Sequence, residues 1–274
     1  MAFLLSISFT QSEADHSVFY KHQLYMLVYV DDILLLAVDH TLIKDFLSNL
    51  GRKFKYTDNG PVTHFLSMDV ELTDDGIYLH QKTYIQDCLH QFGLNDCHPV
   101  ATPFNTKVPL TPNKSDPDPN LIQEFQEGIG CLIWIMVATQ IDICVTVSIL
   151  SHHLKNPSKD HIIAMNRVWK YLKGSINQTL FYKSGPDLPG LHRFCDADWA
   201  GPHSTEAKST SGYVFLLAGG PISWASKKQT TVALSSTESE YIAMALATQE
   251  ALWIQLLLTK LNINQHFATL VLLC

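Results

Sequence analysis

A mixed fold, α+β / α/β, is predicted by three observations. Short runs rich in Val, Ile, Leu and Tyr are interrupted by Asp or Gly at turn spacing. Between them, apolar residues recur at helical spacing. Near the C-terminus, strands are followed by one long helical pattern and a last apolar run, an order that favours packing a helix on a sheet.

The first element is the stretch LYMLVYVDDILLLAVD, Leu24–Asp39. It is too interrupted by acid to cross a membrane, and its Tyr, Val and Ile favour strand over helix. The reading is a β-hairpin over Leu24–Val38 with Val30-Asp31-Asp32-Ile33 at its tip. Adjacent carboxylates repel. Held at a tip they form a hard-oxygen site suited to Mg²⁺, or they are simply solvated turn residues. Leu42, Ile43, Phe46, Leu47 and Leu50 then predict a helix over His40–Phe54, with Gly51 as its cap. A second hairpin is expected from Val62–Leu72 and Gly76–His80, turning at Asp75-Gly76, and a short helix from Gln81 to Leu94.

The Pro-rich stretch from Pro99 to Asn120 reads as a linker. Helices are expected over Gln123–Ala138, Asp142–Lys155 and Lys159–Ser175, then a strand near Thr179–Tyr182 and a turn over Ser184–Gly190. The apolar segment Cys131–Leu150 is long enough for a membrane check. Its TQID patch reads better as a break between two buried helices. After Gly190 come a strand ending at Asp196–Asp198, strands over Gly212–Leu217 and Pro221–Ser226 joined at Gly219-Gly220, a helix from Glu238 to Leu261, and a last strand, FATLVLLC, ending at Cys274.

With 274 residues, 46% hydrophobic and 16% charged, the chain has material for a substantial core in one or two domains. A formal net charge of −7 argues against nucleic-acid binding by charge alone, though not against a local basic groove. The six cysteines show neither zinc spacing nor a disulfide framework, which suggests a reducing, intracellular compartment and a soluble chain. The N-terminus carries no convincing signal peptide.

Asp196, Asp198 and Glu240 form a second acidic set. Asp196 ends an apolar strand and Glu240 opens the long helix, so packing that helix on the sheet would bring the two carboxylates together, as two-metal phosphodiester sites require. The spacing Thr237-x-x-Glu240 also matches a capping box, which would give Glu240 a purely local role. Asp198 can share a strand face with Asp196, but Trp199-Ala-Gly looks like a strand exit, so Asp198 reads as solvated.

The motifs together resemble those of the Pol polyprotein of copia-type long-terminal-repeat retrotransposons. YVDD (Tyr29–Asp32), with QSEADHSVF before it and FLSMDVE after it, is similar to the reverse-transcriptase active-site hairpin. YLKGS resembles the exit from the thumb region. DADWAG, STSGYVF, ISWASKKQ and ALSSTESEY resemble the RNase H domain of the same elements. The resemblance implies a partial reverse-transcriptase palm and start of thumb over 1–98, the linker over 99–120, a helical thumb–connection region over 121–190 and an RNase H-like domain over 191–274. It implies polymerase ligands for Mg²⁺ at Asp31 and Asp32, and RNase H ligands at Asp196 and Glu240, which sets the capping role of Glu240 aside. The implied partners are primer–template nucleic acid or an RNA–DNA hybrid, with no membrane.

The chain also departs from the family pattern. A third polymerase aspartate and the fingers have no counterpart before Asp31. The chain stops at Cys274, where a later RNase H acid would follow. Those departures imply a catalytically incomplete chain, or a remnant that binds nucleic acid weakly. Gln140 stands where the family has Arg, which would remove a positive charge facing nucleic acid. Ser67 stands where it has Gly.

Overall fold

The computed structural model describes residues 2–106, 108, 110–186, 188–200 and 207–263. Its contacts divide the described residues into two compact units, one of residues 2–65 with 248–263, the other within 66–247. The mixed α and β composition expected from the sequence is present, with the strands gathered into three sheets. The expected last strand over 267–274 lies outside the described residues.

In the first unit a short helix, α1 (Ala2–Ser6), precedes a four-stranded sheet in simple order: β1 (Thr10–Gln11), β2 (Val18–Lys21), β3 (Leu24–Tyr29) and β4 (Asp32–Ala37). The consecutive pairings are antiparallel. Period-two alternation sends Leu24, Met26 and Val28 to one face, with their partners Ala37, Leu35 and Ile33. Helix α2 (His40–Gly51) brings Phe46 and Leu50 to the same core, which also holds Phe9 and Phe19. Its N-terminus is capped by Asp39, whose carboxylate accepts from the Thr41 amide at 2.8 Å. Gly51 is the last helical residue and Arg52 follows as the cap, so Gly51 does not cap in the left-handed conformation expected of it.

The second sheet runs β5 (His64–Phe65), β6 (Met68–Leu72), β7 (Gly76–His80) and β8 (Leu180–Lys183). Leu66 and Ser67 join the first two with φ of 50° and 59°. A two-residue turn of that hand matches strand twist but favours Gly or Asn, so the family's Gly at position 67 has a backbone reason. The isolated strand near Thr179–Tyr182 proves to be the partner of β7.

Four helices build the larger core: α3 (Lys82–Gln91), α4 (Pro119–Ala138), α5 (Cys144–Ser151) and α6 (Lys159–Gly174). Asp118 caps α4, with Pro119 at its first turn, where a missing N–H costs nothing. Phe125, Ile129, Leu132 and Ile135 recur along one stripe of α4 and are fully buried against Val147, Leu150, Met165 and Trp169. Each such side chain contributes about 1.5–3 kcal/mol. Gly128 permits the close approach of α6, because a Cβ there would lie 2.4 Å from the Met165 sulfur. Cys88 of α3 and Cys131 of α4 hydrogen-bond through their sulfurs beside the Tyr84 hydroxyl.

The break at TQID is present. α4 stops at Ala138, a short 3-10 turn covers Ile141–Ile143, and α5 follows. Gln140 is buried, so it does not face a nucleic-acid groove as the sequence suggested; an arginine there would need a buried partner.

The third sheet has the order β11-β10-β9, from β9 (His192–Asp198), β10 (Thr210–Leu217) and β11 (Gly220–Lys228). Both pairings are antiparallel. The long helix α7 (Ser236–Lys260) gives residues 236–247 to the second unit and 248–260 to the first. Within the first unit, Tyr25 donates to the Leu261 carbonyl at 2.9 Å and Trp253 to the Ala14 carbonyl at 3.0 Å. By length and composition, α4 and α7 are long and apolar enough to cross a membrane.

Candidate active site

The two acidic sets lie in different units. In the first, the pairing of Tyr29 with Asp32 leaves a two-residue turn, Val30-Asp31. Asp32 is thus already the first residue of β4, one step later in the hairpin than the tip read from the sequence. Val30 has φ of 52°, as the first position of a type II′ turn requires. Glycine is the usual residue there, and a β-branched one is strained. Val30 is 83% exposed, so no packing rewards the side chain. Both carboxylates are solvent-exposed, which removes most of the cost of their adjacency. Asp32 lies on the face opposite the core, with Tyr29 beside it. Among the described residues, no group of three His, Cys, Asp or Glu side chains is arranged to hold a metal.

The second set is built on β9. Asp196 pairs with Gly212 and Asp198 with Thr210, so the two acids share one face of the sheet. Asp198 is a strand residue, and the exit comes one residue later, where Trp199 donates to the Ala233 carbonyl at 3.1 Å. Asp198 is solvent-exposed, and the strand leaves at Trp199, as the sequence suggested. Both acids line a cleft of about 680 Å³ whose opposite wall is α5. Ser148 ties this wall to β11 by donating to the Ser226 carbonyl at 2.9 Å, and Trp224 of β11 donates to the Met136 carbonyl of α4 at 2.9 Å. Lys208, Lys228, His152 and His153 line the same cleft. His153 stacks on His161 with ring centroids 3.9 Å apart. Burial, with the charges of His161, His152 and Lys228, pulls His153 down to about 4.

Glu240 is released from the capping role that its spacing suggested. The Glu238 amide donates to Ser235 Oγ at 3.1 Å, and the Glu238 carboxylate accepts from the Leu234 amide at 2.7 Å. The reciprocal cap therefore sits two residues earlier. One oxygen of Glu240 is buried without a hydrogen-bond partner. Its neighbour Ser239 is tied by a 2.9 Å bond to Gln229, which also donates to Ser211 at 3.0 Å. The structure brings Asp196 together with Asp198; Glu240 is not among the residues that line their cleft.

The lysines and histidines of the cleft went unread in the sequence because they come from the turn after α5, from β11 and from the approach to β10. The available signal was the period-two spacing of Asp196 and Asp198, which places both on one face.

A family model described as "Reverse transcriptase (RNA-dependent DNA polymerase)" matches residues 1–106. The chain is 38% identical over 268 residues to the retrovirus-related Pol polyprotein from transposon RE1 of Arabidopsis thaliana, covering 96% of this chain and 18% of that protein. It is 33% identical over 276 residues to the corresponding polyprotein from transposon TNT 1-94 of Nicotiana tabacum, covering 96% of this chain and 21% of the relative. An uncharacterised mitochondrial protein of Arabidopsis thaliana is 36% identical over 231 residues, covering 84% of this chain and 94% of the relative. The chain thus spans about a fifth of the transposon polyproteins it matches. No solved structure matches it.

Proposed function

Because the chain belongs to the family of copia-type retrotransposon Pol polyproteins, we propose that it is a segment of the machinery that copies RNA into DNA and degrades the copied RNA. The observation that carries this reading is the β3–β4 hairpin, which holds Asp31 and Asp32 in water at a two-residue turn within the matched reverse-transcriptase region. Asp31 and Asp32 are the polymerase carboxylates in this reading, and Asp196 and Glu240 the first two RNase H carboxylates. The substrates are a primer–template and an RNA–DNA hybrid, and the location is intracellular.

The donor chemistry fits Mg²⁺. Asp31, Asp32 and Asp196 offer exposed hard oxygens, and the orphaned Glu240 oxygen is a buried acceptor that a cation would satisfy. Bound Mg²⁺ neutralises the charge that develops on phosphoryl oxygens and activates the attacking oxygen. Asp31 and Asp32 fix where that charge compensation sits relative to the sheet. Asp196 does the same on β9, and Glu240 must approach it for the nuclease reading to hold.

The 274 residues taken alone turn over neither substrate in this reading. Asp31 and Asp32 meet no third ligating side chain among the described residues, and misplaced reacting groups alone cost about 10²-fold. The test supplies the purified chain with Mg²⁺ and either a primed RNA template or a labelled RNA–DNA hybrid. No extension and no cleavage are expected, with weak binding to both that falls as salt rises. Extension abolished by Asp31→Asn, or cleavage abolished by Asp196→Asn, would overturn the incompleteness. Absence of any binding would count against the nucleic-acid reading itself.

A further inference from the structure

The fold brings together two cysteines that stand on opposite sides of the Pro-rich stretch in the sequence. Cys88 lies on α3 and Cys131 on α4, and their sulfurs share a hydrogen bond. A second contact ties this meeting to the packing of the helices. Gln81, the cap at the start of α3, is buried and meets Thr139, the cap at the end of α4, at 2.8 Å. About two turns forward along α3 lead from there to Cys88, and about two turns back along α4 lead to Cys131. Ile85 and Ile135 come midway, both fully buried in the same core cluster. The two helices are thus held antiparallel, and the cysteines meet across the seam.

The two thiols are unlike. Cys88 is 2% exposed, and its bond with Cys131, together with burial, pushes its thiol up. Cys131 is partly accessible. The bond with Cys88, assisted by the Tyr84 hydroxyl, pulls its thiol down to about 6, against burial and the nearby Glu127 carboxylate. At neutral pH Cys131 is therefore largely thiolate, the form that attacks an oxidant. Cysteines that sense oxidants combine that character with access and an adjacent resolving thiol. Cys88 supplies the resolving thiol.

We infer that Cys131 and Cys88 form a reversible disulfide in response to a hydroperoxide, clamping α3 to α4. The Cys131 thiolate attacks one peroxide oxygen, the O–O bond breaks, and Cys131 becomes a sulfenic acid as hydroxide or alkoxide leaves. The Cys88 sulfur then attacks the sulfenic sulfur. The S–S bond forms, the S–O bond breaks, and the departing hydroxyl takes the Cys88 proton as water. The two sulfurs supply two electrons and the peroxide accepts them. Because the sulfurs already touch, closing to about 2.05 Å asks for movement of side chains and leaves the helices in place. The bridge closes a loop that holds the whole Pro-rich stretch, which restricts the unfolded chain and stabilises the second unit. In a reducing compartment the pair rests as two thiols and the bridge is transient. The pair uses none of Asp31, Asp32, Asp196 and Glu240, so it stands apart from both active-site readings.

The test treats the fully reduced chain with hydrogen peroxide at pH 7, alkylates the remaining thiols and maps peptides by mass. A linked peptide pair holding Cys88 and Cys131 is expected, lighter by two hydrogens than the reduced pair and released by dithiothreitol. Contact replaces chance encounter, so this pair should exceed any other pairing roughly tenfold. Cys97, which is also partly accessible, is the internal comparison. Cys88→Ser is expected to leave Cys131 as a sulfenic acid that dimedone traps, and Cys131→Ser to leave Cys88 reduced over the same time. The oxidised wild-type chain is expected to have a urea midpoint higher by about 1 M, returned to its starting value by dithiothreitol. If a serine variant fails to fold, the wild-type linked peptide still decides. Overoxidation of Cys131 without a bridge, bridging mainly through other cysteines, or an oxidised chain with an unchanged or lower urea midpoint would overturn the proposal.

Discussion

Val30 and Ser67 each hold a left-handed backbone without being glycine, and each sits where the local turn prefers one. Replacing Val30 by Gly should stabilise the first unit by about 1 kcal/mol, read as a higher urea midpoint, since αL costs an L-residue roughly 1–2 kcal/mol and glycine's greater unfolded-state entropy offsets part of that gain. Ser67→Gly should act in the same direction. No gain in either variant would show that the chain adjusts these turns without strain. The sequence made one of these positions readable, because Ser67 departs from a family glycine; Val30 looked like a normal strand residue until the register was known. Glu240 shows the opposite limit. Its spacing from Thr237 satisfied a capping box, but Ser235 and Glu238 satisfy the same pattern two residues earlier and win. Spacing alone does not decide between overlapping boxes.

Glycine pairs carry the next level of organisation. Gly219 has φ of 83° and, with Ala218 at 53°, forms the two-residue turn between β10 and β11. The turn was legible, but it lies one residue earlier than the Gly219-Gly220 expected from the sequence, since Gly220 already pairs with Leu217. The role of Gly220 was not legible, because it depends on β8: a Cβ there would lie 2.4 Å from the Phe181 carbonyl oxygen. Gly76 meets β8 just as closely, with a Cβ 2.2 Å from the Tyr182 carbonyl oxygen. Alanine at either position is therefore expected to shift a strand and lower the urea midpoint, while Gly130, with nothing nearby, should accept alanine and gain helix stability. The junction of α5 and α6 is the acid-sensitive element. His153 is held down to about 4 by burial, and burial also lowers its stacked neighbour His161. The unfolded chain takes up these protons near the ordinary value of about 6.5, whereas the folded chain resists them. Stability from this source is complete above about pH 6.5 and is lost as pH falls toward 4. The difference in urea midpoint between pH 7.5 and 5 should shrink in His153→Phe; an unchanged difference would place the acid sensitivity elsewhere.

Two separate cores hold the molecule. One surrounds Met26 under the four-stranded sheet and the other surrounds Trp169 among the helices. Met26→Ala should cost about 2–5 kcal/mol and raise amide exchange across β3, β4 and α2, while protection in α6 stays unchanged. Equal loss in both regions would show one cooperative transition. Periodicity made most elements readable: α4 and α6 through their apolar stripes, the YVDD hairpin through its alternation. What it did not reveal were long-range choices, such as β8 joining β7 or α5 forming the wall opposite Asp196, since those are fixed by partners far away in the chain. The sulfur pair of α3 and α4 has a practical consequence. Cys88 is buried and its thiol is pushed up, whereas hydrogen bonds from Cys88 and Tyr84 pull the partly accessible Cys131 below the ordinary thiol range. At neutral pH an alkylating reagent should therefore label Cys131 ahead of Cys88, so that a chromophore can be directed to one member of the pair without first removing the other.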